Sequence, residues 1–386
     1  MKSFAIVRRS RSSEHSLQIA RWIFQTAGLL LLACAVSVDA AHAGKPPSAL
    51  RVTRHQTTRT RSKSRTRKGR AKLSINADRV NDPTLADLIG PNSRGDAVLR
   101  AQVLLDRAKF YCGAINAVYG DNLRKAISAY QNARGLPVNG TVDPGTWAAL
   151  NTDGAPILSP YTIAAKDVAG PFTQIPHDMM KKASLKALNY ESPLEELAEE
   201  FHASPNLLRM LNPGKSFDKA GEQILVTNVV TPPPRKAARV VVDGAERSVT
   251  AFDAEGKILA YYPASVGSEH DPLPVGTWKI LGKRYSPKFY YNPDLFWNAS
   301  EKDSKATIAP GPRNPVGVVW IALSKEHYGI HGTPVPSMIG RTESHGCIRL
   351  TNWNAVELAA MVEPGVPAIL EESKTSNSET ASPTSH

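Results

Sequence analysis

The chain has 386 residues, which is more than one ordinary domain needs and enough for two or three domains with cores of their own. Hydrophobic residues make up 41% of it, and 29 prolines and 26 glycines are spread along it. This composition excludes a fibrous or wholly disordered protein and indicates globular units joined by turns and linkers. The formal net charge of +12 is concentrated near the N-terminus.

The first 43 residues have the pattern of an export signal. A basic start is followed by an apolar run over residues 22–38 and then by Ala-His-Ala at 41–43, which fits a small-x-small cleavage site. We interpret residues 1–43 as a signal peptide and expect the protein in the periplasm or cell envelope. An uncleaved membrane anchor over residues 22–38 and lipid attachment at Cys34 are the alternatives.

Residues 44–79 are predicted to be a basic, disordered linker. Within it, residues 51–72 carry ten lysines and arginines and no acidic residue. Such a charge run in a cytoplasmic protein would suggest nucleic acid, but in an exported one it indicates anionic envelope polymers or membrane head groups as partners. A solvated spacer with no partner is the alternative interpretation. We expect no nucleic-acid binding.

A helical unit is expected over residues 80–155, because apolar residues recur there at helical spacing. Gly135 is placed to end one helix, and Asp143 to cap a short helix that contains Trp147. The stretch Y-G-D-N-L-R-K-A-I-S-A-Y-Q-N-A-R-G-L-P-V-N-G-T-V-D-P-G-T-W, residues 119–147, resembles the small three-helix peptidoglycan-binding domain. This resemblance implies a wall-binding role.

The next unit, expected over residues 160–230, combines helices with a strand. Ser192 and Ser204 are predicted N-caps, each followed by a proline at the first helical position, and Q-I-L-V-T-N-V-V reads as a strand. The order helix, turn, helix, Leu-Asn-Pro, glycine and strand resembles a LysM module, which implies contact with glycan chains. A module that only positions the next domain is the alternative.

The pattern changes to strand-like alternation after the stiff spacer at 231–234. We expect a mainly β domain over residues 236–371, closed by one helix that begins near Asn352, and a disordered tail over 372–386. Of the three cysteines, Cys112 is interpreted as a buried small hydrophobe. Cys347 needs a different explanation.

Cys347 lies in S-H-G-C-I-R-L, and H-G-T precedes it at 331–333. A thiol attacks only as a thiolate, so a nucleophilic cysteine needs a base or a positive environment. His331 is the better candidate for the base, because it lies sixteen residues before Cys347 and the Pro-rich loop between them can return the imidazole to the sulfur. Gly346 permits a sharp turn that presents backbone N–H groups to an oxyanion. Arg349 can bind a substrate carboxylate, or it braces the loop through carbonyl groups.

The stretch from His331 to Asn354, H-G-T-P-V-P-S-M-I-G-R-T-E-S-H-G-C-I-R-L-T-N-W-N, strongly resembles the signature of the L,D-transpeptidase, or YkuD, catalytic domain. The resemblance implies that Cys347 is the nucleophile and that His331 is the base, oriented by the carbonyl of Gly332.

It also implies an active-site loop formed by Ser344, His345, Gly346 and Arg349. One position departs from the family pattern, since Asn354 stands where Asp is common. We interpret Asn354 as a support of the helix start, where asparagine can still cap.

The expected fold is therefore multidomain: a small α-helical peptidoglycan-binding bundle, a small α/β LysM-like module and a mainly β catalytic domain of the YkuD β-sandwich type. The resemblance implies a cysteine acyltransferase that cross-links peptidoglycan stem peptides, with peptidoglycan as partner and without a cofactor or metal. Zinc ligation by the two histidines and Cys347 is an alternative for the site.

For the function, the alternatives are an L,D-carboxypeptidase, an enzyme that anchors proteins to peptidoglycan, a cysteine endopeptidase of the wall, and a non-catalytic wall-binding protein. The sequence does not indicate the oligomeric state.

Overall fold

The computed structural model describes residues 73–372, which lie within one compact unit. The signal peptide, most of the basic linker and the tail beyond 372 lie outside the described residues. The α-helices are α1 (Ala77–Asn81), α2 (Asp96–Arg107), α3 (Asp121–Ala133), α4 (Pro144–Leu150), α5 (Met179–Ala183), α6 (Pro193–Glu200), α7 (Pro205–Leu211) and α8 (Asn352–Met361). Short 3₁₀ helices span Ala165–Val168, Pro293–Leu295 and Pro336–Met338.

Twelve strands are formed within residues 73–372. They are β1 (Leu158–Thr162), β2 (Gln223–Thr227), β3 (Arg239–Asp243), β4 (Ser248–Phe252), β5 (Ile258–Pro263), β6 (Gly276–Tyr285), β7 (Phe289–Tyr291), β8 (Ala306–Ile308), β9 (Val319–Leu323), β10 (Gly329–His331), β11 (Ile348–Arg349) and β12 (Pro367–Glu371). No helix in this part of the chain has the length and apolar character needed to cross a membrane.

The helices α1–α4 form the first bundle, and buried Gln131 explains its sequence signature. The Gln131 side chain donates to the Thr141 carbonyl at 2.8 Å and to Thr146 Oγ1 at 2.9 Å, and it accepts from the backbone of Asn139 and Gly140 at 3.0 Å each. One side chain thus joins helix α3 to the turn before α4. The glutamine, the Asn-Gly turn and the threonine of the signature are parts of one network.

Helices α3 and α4 end and begin at the residues predicted from the sequence, and the helical region starts earlier in the chain than expected. Asp143 accepts from the backbone N–H of Thr146 and caps α4, and Gly135 follows α3 in the left-handed region at φ 66°. Asn76 caps α1, so helical structure begins at Ala77, inside the segment 44–79 that was expected to be a linker.

The second segment contains α6 and α7 between the antiparallel strands β1 and β2. Ser192 and Ser204 cap the two helices as expected, each accepting from a backbone N–H at 3.2 Å. Most of its buried apolar residues belong to the same core cluster as those of the first bundle, and buried Cys112 lies in that cluster as a free thiol. The division into separate modules at 80–155 and 160–230 therefore stays a prediction, as does the LysM assignment.

The third segment is built on an eight-stranded sheet in the order β11-β10-β9-β6-β12-β3-β4-β5. Strand β6 pairs with both β9 and β12 and has an irregular register between Ile280 and Gly282, which is where a bulge bends a sheet. The two ends of the sheet also meet. Ser265, just after β5, exchanges both backbone hydrogen bonds with Arg349 of β11, at 3.0 and 2.8 Å. The sheet is therefore curled and closed beside Arg349.

A separate hairpin, β7–β8, was not expected from the sequence. It forms its own two-stranded sheet, and Tyr291 and Ile308 from it share a small core with Ile175 and Leu188 of the second segment. The third segment and the second segment are thus packed together through this hairpin.

Polar contacts also join the second segment to the third. Arg313 donates to Glu191 at 2.7 Å and to Glu195 at 2.6 Å. Glu199 of α6 accepts from Tyr190 Oη and from Asn352 Nδ2, each at 2.9 Å. Burial raises the pKa of Glu199 to about 7, although both hydrogen bonds oppose the shift.

The raised pKa makes Glu199 a source of pH-dependent stability. Because the folded state holds the proton more tightly than the unfolded state, stability falls as the pH rises from about 4.5 to 7. We expect Glu199→Gln to remove this decline, which amounts to a few kcal/mol at most. Urea unfolding of the variant and the wild type between pH 4.5 and 8 measures the difference. The exposed neighbour Glu200→Gln should follow the wild type, and parallel curves for Glu199→Gln and wild type would contradict the assignment.

Candidate active site

The parallel pair β10–β11 brings the predicted catalytic residues to one face of the sheet. Ile330 is opposite Ile348 and His331 is opposite Arg349. Both isoleucines are fully buried in the core. Because successive side chains of a strand point to opposite faces, His331, Arg349 and Cys347 share the other face. Two short strands therefore bring His331 and Cys347, sixteen positions apart in sequence, to the same face of the sheet.

His331 is held in one orientation from two sides. Its Nδ1 lies 2.7 Å from the Gly332 carbonyl oxygen, which is the contact that the family resemblance implies. A carbonyl oxygen only accepts, so Nδ1 carries the proton and Nε2 keeps a lone pair. The indole of Trp320 stacks on the imidazole with ring centroids 5.3 Å apart. A fixed imidazole with a free Nε2 can act as a base.

Burial keeps the thiol and the imidazole uncharged in the resting protein. The pKa of His331 is lowered to about 3, chiefly by burial and further by the positive charge of Arg349. Burial also raises the pKa of Cys347, against the opposing effects of the Gly329 backbone and of Arg349, while Asp271 adds to the rise. The proton is therefore on sulfur at neutral pH, and His331 is neutral.

The turn before Cys347 requires glycine at position 346. Gly346 has φ 87°, in the left-handed region, and a Cβ there would lie 2.7 Å from the ring of Tyr328. Ser344 supports the same turn. Its Oγ donates to the Cys347 carbonyl at 2.5 Å, and its backbone N–H donates to the Gly267 carbonyl at 3.1 Å. The supporting hydroxyl thus acts on the backbone of the nucleophile.

His345 is directed to a different part of the site. Its Nε2 lies 3.0 Å from Asn298 Oδ1, and its ring contacts Phe296 and Trp297 with centroids 5.0 and 5.7 Å away. These three residues belong to the segment between β7 and β8. His345 therefore connects the cysteine loop to this segment, which agrees with the choice of His331 as the base.

The side chain of Arg349 has one of its two expected roles, that of bracing the loop, while binding of a substrate carboxylate stays a prediction. Its Nη1 lies 3.5 Å from the Glu343 carbonyl oxygen, so it braces the loop through a long hydrogen bond. Its charge also acts on His331 and Cys347, as their pKa values show. Among residues 73–372, no group of three or more His, Cys, Asp or Glu side chains could hold a metal ion.

The prediction that Asn354 caps the last helix is wrong. Thr351 is the N-cap of α8 and accepts from the backbone N–H of Asn354. The Asn354 side chain is fully buried, and neither its oxygen nor its nitrogen has a hydrogen-bond partner within the described residues. The sequence placed the polar side chain at the start of the helix correctly but could not show that it points inward.

Sequence reasoning also missed several residues of the site. Trp320 and Tyr328 surround His331 and Gly346, and Asp271 acts electrostatically on Cys347. Trp320 could have been predicted, because the alternation in V-V-W-I-A-L places its side chain on the face of the strand opposite to that of the buried Val319 and Ile321. The contributions of Tyr328 and Asp271 depend on loop positions, for which the sequence has no periodic signal.

The protonated resting thiol predicts the pH dependence of its alkylation. Iodoacetamide reacts with the thiolate, so we expect the rate at Cys347 to rise through one ionisation above the ordinary cysteine pKa of about 8.5. Mass spectrometry of the labelled peptide at a series of pH values measures it. In Cys347→Ala the peptide that spans position 347 should not be labelled, and Cys112, which is only 6% exposed, should react slowly. A fast plateau between about pH 6 and 8 would instead reveal a preformed thiolate.

Comparison with known families agrees with this geometry. The model of the L,D-transpeptidase catalytic domain, YkuD, matches residues 237–370, and that of a peptidoglycan binding domain matches residues 94–150. Both resemblances noted in the sequence are thereby confirmed, and the expected fold class with them. The resemblance to a LysM module stays a prediction.

Two curated relatives and one solved structure illustrate the similarity. The YkuD proteins of Bacillus licheniformis and Bacillus subtilis, both named provisionally as L,D-transpeptidases, are 30% and 27% identical to this chain. Each alignment covers 45% of this chain and 89% of the relative. An L,D-transpeptidase structure from Mycobacterium smegmatis is 23% identical with a TM-score of 0.29, covering 38% of this chain and 65% of that one. The protein belongs to the L,D-transpeptidase family of cysteine acyltransferases, with a peptidoglycan-binding domain before the catalytic domain.

Proposed function

We propose that this protein cross-links peptidoglycan by transferring the acyl group of one stem peptide to an amine of another. The observation that carries the proposal is the shared face of β10 and β11. That face carries both Cys347 and His331, and His331 Nδ1 is fixed by the Gly332 carbonyl 2.7 Å away. A nucleophile, an oriented base and a tight glycine turn are the parts that acyl transfer through a thioester needs.

In the first half-reaction, Cys347 Sγ attacks the carbonyl between the third and fourth residues of the donor stem. His331 Nε2 takes the thiol proton as the carbon–sulfur bond forms. The same imidazole then gives the proton to the amine of the terminal D-amino acid, which leaves as the carbon–nitrogen bond breaks. Loss of the proton from the imidazolium is favourable, because the pKa of His331 is about 3 in the buried site.

In the second half-reaction, the neutral amine of the acceptor attacks the thioester carbon. A carbon–nitrogen bond forms and the carbon–sulfur bond breaks. The proton released by the amine returns to sulfur through His331, which restores the resting pair. Water in place of the amine would release a shortened stem peptide, and a protein lysine would attach that protein to the wall.

The other parts of the chain would hold the enzyme on its substrate. The peptidoglycan-binding domain raises the local concentration of stem peptides around the catalytic site. We assign a glycan contact to the LysM-like segment 160–230, supported by its order of β1, two capped helices and β2. For the basic stretch 51–72 we propose attraction to anionic envelope polymers, which salt would weaken.

Product analysis tests the proposed reaction. Purified full-length protein is incubated with disaccharide-tetrapeptides, and the products are identified by mass spectrometry. We expect cross-linked dimers that have lost one terminal D-amino acid. Cys347→Ala should give none, and His331→Ala should lower the rate by about 10²–10⁴-fold, the usual contribution of a general base. His177→Ala, which changes an exposed histidine, is the matched control.

Other products would redirect the assignment. Shortened monomers without dimers would indicate an L,D-carboxypeptidase or an enzyme that needs a protein acceptor. Binding to wall fragments without turnover would indicate a non-catalytic wall-binding protein, and cleaved cross-links would indicate an endopeptidase.

We further propose that the protein is exported to the periplasm or cell envelope, supported by the apolar run at 22–38 and the Ala-His-Ala at 41–43. Cell fractionation and immunoblotting of a C-terminally tagged chain should find it in the envelope or periplasmic fraction. A chain with residues 22–38 deleted should stay in the cytoplasm. Cytoplasmic location of the intact chain would overturn this proposal.

A further inference from the structure

Asp271 lies in a turn that is attached to the cysteine loop. The turn is closed by two hydrogen bonds. Ser268 donates its backbone N–H to the Asp271 carbonyl at 2.8 Å, and Asp271 donates its own to Ser268 Oγ at 3.0 Å. Just before it, the Gly267 carbonyl accepts from the backbone of Ser344 at 3.1 Å. The carboxylate is therefore carried by a backbone fixed relative to Cys347.

Within residues 73–372, the Asp271 carboxylate forms no ion pair that would stabilise the fold, and one of its oxygens has no hydrogen-bond partner. Its Oδ2 is buried and has no hydrogen-bond partner within residues 73–372, and no lysine, arginine or histidine of that range forms an ion pair with Asp271. Its charge acts on Cys347, His345 and Tyr328. A buried, unpaired carboxylate oxygen is costly, and here it also makes the nucleophile harder to ionise.

His345 provides a second polar atom of the same kind. Its Nδ1 is buried and has no hydrogen-bond partner in the described part of the chain. Its Nε2 lies 3.0 Å from Asn298 Oδ1, an oxygen that only accepts, so the proton is on Nε2. Nδ1 therefore carries a lone pair. Burial and the nearby charge of Arg349 lower the pKa of His345, which keeps the imidazole neutral.

The two atoms define the chemistry of a ligand. Both Asp271 Oδ2 and His345 Nδ1 are acceptors, and one of them is anionic. A carboxylate or carbonyl group of a substrate would be repelled or left without a donor. An ammonium group has three N–H donors and a positive charge, so it suits an acceptor of either kind.

We propose that Asp271 binds the ammonium group of the acyl acceptor and that His345 Nδ1 accepts a hydrogen bond from it. This inference rests on the proposed transpeptidation. The ammonium loses one proton to solvent, and the resulting neutral amine attacks the thioester of Cys347. The carbon–nitrogen bond forms, the carbon–sulfur bond breaks, and the second amine proton returns to sulfur through His331.

The ratio of cross-linked to hydrolysed product formed from the thioester tests whether Asp271 binds the acceptor amine. Amine and water compete for the same acyl-enzyme, so the ratio of cross-linked to hydrolysed product does not depend on how fast that intermediate forms. With disaccharide-tetrapeptide as donor and acceptor, we expect Asp271→Asn to lower this ratio about tenfold or more, the usual loss for one charge-assisted hydrogen bond. Glu269→Gln, at an exposed position of the same turn, should leave the ratio unchanged.

A second readout separates binding from a merely structural effect. An acceptor whose side-chain amine is acetylated has lost both the charge and the nucleophilicity of that amine. With the unmodified acceptor, cross-linking measured at a series of concentrations gives the half-saturating amine concentration. That value should rise about tenfold in Asp271→Asn. The alkylation midpoint of Cys347 should also move to lower pH in this variant, because a negative charge has been removed.

The outcomes distinguish the two proposals. If the wild type cross-links and Asp271→Asn keeps both the ratio and the half-saturating amine concentration, the inference about Asp271 is overturned and the proposed function stands. If the wild type forms no thioester from the tetrapeptide, both are overturned. A parallel loss of both products at an unchanged ratio would make Asp271 a support of the loop and would also reject acceptor binding.

Discussion

The site depends on the register of two very short strands. β10 and β11 are joined by only two residue pairs, Ile330 with Ile348 and His331 with Arg349. Because side chains alternate, a slip of one residue would turn Cys347 into the core and Ile348 out to the site. The fully buried isoleucines oppose such a slip, and the backbone exchange between Ser265 and Arg349 fixes β11 from its other edge. The catalytic geometry is therefore set by core packing at neighbouring positions.

A chain of polar contacts extends this constraint to the second segment. Asn352 Oδ1 accepts from the Val318 backbone at 3.2 Å and packs so closely against Gly332 that a Cβ there would lie 2.1 Å from it. The Gly332 carbonyl orients His331, and Asn352 Nδ2 donates to Glu199. The second segment and His331 thus share one network, so their arrangement is an integral part of the structure.

Much of this structure could be predicted locally. Alternation located the long strands of the catalytic sheet, serine and aspartate caps located the helices, and the spacing of His331 and Cys347 indicated the site. What could not be predicted depends on tertiary contacts. The hairpin β7–β8 is stabilised by residues more than a hundred positions away. Thr351 caps the last helix, and Asn354 points inward. The position of Asp271 in the site depends on the contact between its turn and the cysteine loop.

The protonated state of Cys347 also affects the resistance of the enzyme to oxidation. Peroxides and other oxidants convert thiolates to sulfenic acid far more readily than they attack thiols. A thiol whose burial raises its pKa is therefore protected while no substrate is bound. In the proposed reaction it becomes vulnerable only during the brief step in which His331 holds its proton. The same desolvation that delays ionisation thus protects the resting thiol from oxidation.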